Sequence, residues 1–300
     1  KYNTHLIVDE AHGAHLGLTK YTENSAVNQG ADIVIHSLHK TLPALTQTAL
    51  LHVVSERVDI DKLRHHLAIF QTSSPSYILM ANIDHCINIL SEPKDRLFKC
   101  YLEYIHQFRF QLRCLKNLHL VGQDLMDPSI VEQGAIYKYD FTKLVISTKG
   151  TRMDGNELAS ILLDTYRIQV EYASKDYILA MTSIFDDEEG FQRLRDALIN
   201  IDSKLYKSNE NDDINYKISK PIRKHKISEV NNLGKQKVSI SHSLGKVSAN
   251  YIIPYPPGIP LMVPGEVMDE YTLLQLEELI KHKIEVIGVN KDTTIWIVDE

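Results

Sequence analysis

The residues best suited to chemistry are Ser37, His39 and Lys40, in the run Ile35-His36-Ser37-Leu38-His39-Lys40-Thr41. Here a strand-like segment ends in a hydroxyl, an imidazole and an amine. A lysine amine captures a carbonyl as a Schiff base once it is uncharged, which burial and nearby positive charge favour by lowering its pKa. A phosphate-bearing aldehyde such as pyridoxal phosphate also needs hydroxyl, imidazole or backbone donors close by, and Ser37 and His39 are of those types. A second cluster, Val8-Asp9-Glu10-Ala11-His12-Gly13, ends an earlier apolar run. Pyridoxal phosphate works as an electron sink only while its ring nitrogen stays protonated, so a carboxylate held against that nitrogen is a chemical requirement. Asp9 is a candidate for it, and Ala11 would leave a small flat surface for a ring to lie upon. Each cluster also has a plainer reading. On spacing alone, a lysine that merely ends a strand accounts for Lys40, and Asp9 serves equally as a cap for the following helix.

The elements that would position these residues read as an α/β arrangement. Strand-like runs at Leu6 to Val8, Ile33 to Ile35 and Leu50 to Val54 alternate with loop and helix patterns, predicting a mainly parallel sheet. Both clusters follow strand ends, where ligands bind in open α/β sheets. The run His5-Leu6-Ile7-Val8 reads as a buried parallel strand with neighbours on both sides. Since the sequence starts at Lys1 without a methionine, the expectation is a chain cut inside a domain.

From Ser76 to about Leu115 apolar residues recur at helical spacing, broken near Ser91-Glu92-Pro93, which predicts two long helices. A strand at Lys143 to Ser147, a helix from Asp154 to Tyr166, a strand pair within Ile168 to Met181 and a helix from Asp187 to Leu198 follow as a compact α+β domain. Asp154 with Glu157 three residues on has the spacing of a capping box. The stretch Lys204 to Glu229, rich in Lys, Asn, Asp and Ser, reads as a mobile linker. Five prolines between Gly245 and Gly265 predict an extended, rigid loop. A helix at Tyr271 to Lys283 and a strand at Thr294 to Val298 close the chain.

Composition bounds the function class. The 300 residues, 43% hydrophobic and 24% charged, are those of a folded globular chain, and the formal net charge of -6 gives no global attraction for nucleic acid or anionic lipid. No apolar run is long enough to span a membrane and no signal segment opens the sequence, so a cytoplasmic location and a small-molecule substrate are expected. Cys86, Cys100 and Cys114 lack paired metal-site spacing and read as buried, reduced helix residues.

Taken together, Asp9-x-Ala11 after one strand and Ser37-x-His39-Lys40 after the next resemble pyridoxal-phosphate enzymes of the aspartate aminotransferase fold, fold type I. Within that superfamily four segments resemble the ornithine/lysine/arginine decarboxylases. These are Asp9 to His15, His36 to Ala49, Phe70-Gln71-Thr72-Ser73-Ser74-Pro75-Ser76-Tyr77, and the proline-rich Pro254 to Glu266. The resemblance implies a large cofactor domain with connecting helices over 1–115, a small α+β domain over 116–203, a linker over 204–229 and a C-terminal decarboxylase domain over 230–300. It implies Lys40 as the Schiff-base lysine, Asp9 as partner of the ring nitrogen, Ala11 under the ring, Ser37 and His39 at the phosphate and Schiff-base side, and His12 lining the pocket or packing. Thr72 and Ser73 would reach the phosphate of the neighbouring subunit of a homodimer or higher homo-oligomer. Their plainer reading is an N-cap cluster for the helix after Pro75. Glu266 would pair with the distal cation of a basic substrate, or else start a helix in solvent. His15 reads as a packing residue. The implied reaction is decarboxylation of arginine, lysine or ornithine to the amine and carbon dioxide.

Three other readings compete. Leu6-Ile7-Val8-Asp9-Glu10-Ala11-His12 is also how the magnesium-binding strand of DEAH-type helicases reads, although no G-x-x-x-x-G-K-[ST] loop occurs in the sequence. Asp9, His12 and His15 could share a metal, but the glycine among them favours a loop over the helix that would align them. A truncated, non-catalytic family member, with weak or no cofactor binding and exposed sheet edges, is the third.

Overall fold

The computed structural model describes residues 4–91, 94–122, 138–207, 221–255, 258–281 and 284–299. The chain divides into two compact units, Lys1–Glu210 and Asn211–Glu300.

The first unit opens with β1 (Ile7–Asp9), passes two short 3-10 turns to β2 (Ile33–Ser37), and enters the four-residue helix α1 (Leu38–Thr41) before β3 (Ala49–Val53). The sheet order is β1-β2-β3, with β1 and β2 parallel but β2 and β3 antiparallel. The expected mainly parallel sheet is thus a mixed one. The cause is the connection, since Leu38 to Thr48 is shorter than the crossover of about a dozen or more residues that a parallel return requires. Val34 and His36 of β2 are buried, and the register puts His52 and Leu50 of β3 beside them on the same face. Leu6 and Ile7, expected in a buried strand, are 53% and 61% exposed, because among the described residues β1 is paired along one edge only.

Next come α2 (Ile60–Phe70), whose N-cap Asp59 accepts from Lys62 N, and the long helices α3 (Tyr77–Ser91) and α4 (Lys94–Gln111). Residues 92 and 93, where the break was expected, lie outside the described residues. Helix α4 buries Phe98, Tyr101, Ile105 and Phe108, the three- and four-residue spacing of one helical face. A four-stranded antiparallel sheet follows in the order β4-β5-β7-β6, made of β4 (His119–Leu120), β5 (Lys143–Ser147), β6 (Tyr172–Ala173) and β7 (Tyr177–Met181). Alternate residues of β5 and β7 are buried, and Leu144, Ile146, Ile178 and Ala180 share one core with α4, α5 (Gly155–Tyr166) and α6 (Glu188–Asp202). The Asp154–Glu157 capping box forms in both directions. At Gly155 a Cβ would collide with the carbonyl oxygens of Ser174 and Tyr177, so only glycine lets α5 start this close to the β6–β7 hairpin.

Two buried charges stitch this unit together. Arg109, 1% exposed, donates to the carbonyls of Val121, Phe141 and Lys143, tying α4 to the entry of β5. Asp202 at the end of α6 accepts three successive backbone N–H groups, from Lys116, Asn117 and Leu118, at 2.7–2.9 Å. Of the cysteines expected to be buried, Cys86 is; Cys100 and Cys114 are exposed, and all three are free thiols.

The second unit holds the short helix α7 (Ile227–Val230), the antiparallel pair β8 (Lys235–Ser239) and β11 (Thr294–Val298), the antiparallel pair β9 (Ile253–Tyr255) and β10 (Glu285–Ile287), and helix α8 (Glu270–Lys281). Its core gathers Ile240, Ile252, Met262, Met268, Leu276, Ile295 and Ile297. The proline-rich run is not loop alone, since β9 lies within it with Pro254 opposite Val286. A strand in a two-stranded ribbon has one unpaired edge, which tolerates the missing N–H of proline. Of the stretch expected as a linker, 208–220 lie outside the described residues, while 222–225 are tied down: Lys224 N donates to Gly265 O and Val267 N to Ile222 O.

Candidate active site

Strand β1 ends at Asp9 with Glu10 directly after it, and β2 delivers His36 and Ser37 as its last two residues, just before α1. Glu10 is sequestered. Its Oε2 accepts from Ser25 Oγ at 2.5 Å and His36 Nε2 at 2.7 Å, and its Oε1 from Ala26 N at 2.9 Å. Burial pushes the Glu10 carboxyl up, but the bonds from Ser25, His36 and Ala26 outweigh it and hold the group below the usual range. Since His36 gives its Nε2–H to a carboxylate, its Nδ1 is left to accept, and His52 Nε2 lies 3.1 Å from it. The line Ser25–Glu10–His36–His52 therefore laces the ends of β1 and β2 to β3 across the sheet's buried side. Burial first, and the neighbouring His36 second, lower the pKa of His52, so its ring is neutral at pH 7.

On this brace stand the residues singled out by the sequence. Helix α1 follows directly from β2, and Lys40 Nζ lies 2.8 Å from His12 Nε2. Burial first and the charge of Lys40 second lower the pKa of His12, so the ring is neutral at pH 7 and accepts this bond. His12 also feels the charges of Glu171, Lys143 and Asp9, which places four charged groups around one imidazole. Asp9 Oδ1 accepts from Ala11 N at 3.1 Å, so the plainer capping role is partly present. The Ser37 side chain caps no backbone N–H of α1. His39 instead turns its Nδ1 toward Thr48 O, 3.1 Å away. Lys40, Asp9, Ala11 and His12 are thus brought together at the strand ends, with Ser37 and His39 flanking them.

The other candidates lie elsewhere. Thr72 and Ser73 are exposed; Thr72 Oγ1 donates to Ser74 O, and the residue bonding into the first turn of α3 is Ser76, through Leu79 N. Glu266 belongs to the second unit, where it is 8% exposed. Its carboxylate accepts from Val263 N at 2.8 Å and lies 3.8 Å from Arg223. The reading of Glu266 as a helix-start glutamate in solvent is corrected, because it is buried and α8 begins at Glu270. His15 is buried with polar partners, its Nε2 lying 3.2 Å from Thr142 Oγ1 and 3.4 Å from Asp140 Oδ2. His12 faces Lys40 and His15 faces Asp140, and among the described residues no group of three or more His, Cys, Asp or Glu side chains is placed to hold a metal ion.

Sequence reasoning missed Glu171, which enters beside β6 and lies 4.0 Å from His12 Nε2. It also missed Asp140, which accepts from Thr142 N and Oγ1 and pairs with Lys143 at 3.0 Å. Burial pushes Asp140 up, yet the His15 hydrogen bond and the charges of Lys143 and His15 hold its carboxyl well below the usual range. No local spacing signals either residue.

Residues 1–160 match the family model described as Orn/Lys/Arg decarboxylase, major domain, and residues 220–288 match that of the Orn/Lys/Arg decarboxylase C-terminal domain. The chain belongs to the Orn/Lys/Arg decarboxylase family. It is 26% identical to an arginine decarboxylase of Bacillus subtilis (strain 168) over 99% of this chain and 60% of that protein. To an arginine decarboxylase of Halalkalibacterium halodurans it is 29% identical over 98% of this chain and 60% of that protein. The chain thus spans about 60% of the length of these curated relatives. Its fold is similar to that of the constitutive lysine decarboxylase of E. coli, with a TM-score of 0.72 at 19% identity over 89% of this chain and 49% of that one. Membership of a decarboxylase family leaves the DEAH-type reading of Asp9 to His12 without support. The structure agrees, since Glu10, which that reading needs at a metal-bound nucleotide, is consumed by Ser25, Ala26 and His36.

Proposed function

We propose that the protein decarboxylates a basic amino acid, arginine, lysine or ornithine, with pyridoxal phosphate as cofactor. The observation that carries this reading is the Lys40 amine in α1, directly after β2, 2.8 Å from a neutral imidazole. The donor set fits the cofactor, with an amine for its aldehyde, a carboxylate for its ring nitrogen, a small residue for its ring face and a hydroxyl beside the amine. In this reading Lys40 binds the aldehyde covalently and Asp9 keeps the ring nitrogen protonated. Ala11 lies under the ring, Ser37 and His39 serve the phosphate and Schiff-base side, and His12 lines the pocket. When bound, the cofactor supplies an electron sink for the pair left on Cα as carbon dioxide departs. The protein orients the substrate, with Lys40 the amine placed to return a proton to Cα.

The same reading makes the protein a cytoplasmic homodimer or higher homo-oligomer in which Thr72 and Ser73 reach the neighbouring subunit's cofactor phosphate. Support comes from the exposure of that segment and of the apolar residues around it, Phe70 at 87%, Tyr77 at 79% and Ile78 at 74%. Among the described residues no helix is long and apolar enough to cross a membrane.

A second reading, a family member without activity, is favoured by the edge of β1 that has no strand partner among the described residues, where Leu6 and Ile7 are exposed. Carbon dioxide release separates the two. With pyridoxal phosphate present, release from one of the three amino acids, lost in Lys40→Ala, is the expected result. A protein that takes up little or no cofactor and releases none from any of the three would be the inactive member.

A further inference from the structure

His12 sits between the lysine and a carboxylate contributed from far along the chain. Its Nε2 is 2.8 Å from Lys40 Nζ and 4.0 Å from Glu171 Oε1, so both neighbours address the same nitrogen. A neutral imidazole accepts at one nitrogen only, and that nitrogen bears a proton once the ring is charged. While Nε2 is bare it accepts from Lys40; once protonated it becomes a donor, and Glu171 is the carboxylate within reach. The His12 and Glu171 side chains are 39% and 44% exposed, enough for a small ring rotation between the two partners. The other charged groups that His12 feels are Asp9 beside it and Lys143 on β5.

We propose that His12 and Glu171 form a proton relay for Lys40, with His12 as the base that takes the proton Lys40 sheds on bonding to a carbonyl carbon and Glu171 as a positioning residue that holds the resulting imidazolium. The proposal rests on the reading of Lys40 as the cofactor lysine and adds what makes that amine reactive. The step balances. As the bond from Nζ to the carbonyl carbon forms, the carbonyl π pair moves to oxygen, the N–H pair stays on Nζ, and the proton passes to His12 Nε2. The imidazolium then donates Nε2–H to Glu171, the alkoxide takes one proton from solvent, and the imidazolium returns its own proton as that oxygen departs as water, leaving the Schiff base protonated on Nζ.

The test uses two readouts on the purified chain. One is the stopped-flow rate at which added pyridoxal phosphate is captured. The other needs no cofactor: reductive methylation of Lys40 by formaldehyde and cyanoborohydride, read by peptide mass spectrometry from pH 5 to 8. His12→Gln is expected to slow both about a hundredfold, within the usual range for losing a general base, and to abolish their acid limb. That limb lies below pH 6.5, because His12 titrates below its ordinary value. Glu171→Gln removes a charge that raises the His12 pKa, so its limb moves to lower pH while its plateau falls about threefold for a weaker base. A merely structural role for Glu171 would not move the limb. If formaldehyde labelling shows this pattern but the wild type captures no pyridoxal phosphate, the relay stands and the cofactor reading fails. Wild-type rates and limb in His12→Gln overturn the relay, and an unmoved limb in Glu171→Gln removes Glu171 from it.

Discussion

Asp9 and Glu10 are adjacent acids with opposite employment. Successive strand residues face opposite sides of a sheet, so Glu10 goes to the buried brace while Asp9 remains at the open strand end. Glu10→Gln would replace an acceptor of three hydrogen bonds with an amide that can accept fewer, and is expected to cost about 1–3 kcal/mol in urea unfolding. Asp140 gives a pH prediction. Its folded pKa lies below the ordinary 3.8, so its contribution is fully present above that value and is lost as pH falls through the folded one. Stability of the wild type should therefore drop below about pH 4, and Asp140→Asn should be less stable at pH 7 but show a shallower acid drop in thermal melts. Lys40 and Asp9 were singled out by residue type together with the family resemblance, since spacing alone is met equally by a lysine that ends a strand and an aspartate that caps a helix. Asp140, Glu171 and the partners of Glu10 were not, because their meaning comes from contacts between positions as distant as His12 and Glu171.

Among the elements, helices α4, α5 and α6 and strands β5, β7 and β11 follow from periodicity and caps, and the Asp154–Glu157 box marks the start of α5 directly. The direction of β3 was misread because an apolar run carries no sign of its polarity; only the shortness of Leu38 to Thr48 does. β8 was missed because Lys235-Gln236-Lys237-Val238-Ser239 is mostly polar and gains its strand from pairing with β11. No spacing or motif marks Arg109 in the sequence, yet its guanidinium joins α4 to β5. Arg109→Leu should leave those carbonyls without their donor and cost about 3 kcal/mol or more in urea unfolding. Asp202→Asn exchanges one oxygen for an NH2 facing backbone donors, and is expected to cost about 2 kcal/mol by the same measurement.

For the molecule as a whole, the exposed apolar set Ile69, Phe70, Tyr77 and Ile78 of the first unit is the feature composition could not foretell. Apolar surface gathered in this way marks an interface more often than solvent-facing skin. With a second copy of the chain as its occupant, sedimentation should give a dimer, and Ile78→Asp should give a monomer with unchanged circular dichroism. The central claim is narrower and concerns Lys40. The measurement that tests it most directly is borohydride trapping: the protein is incubated with pyridoxal phosphate, its visible spectrum is recorded before and after reduction, and the modified peptide is sequenced by mass spectrometry. The account predicts a visible band that borohydride bleaches, with the added mass on Lys40 and no band in Lys40→Ala. Trapping on a different lysine, with Lys40→Ala behaving as the wild type, would contradict it.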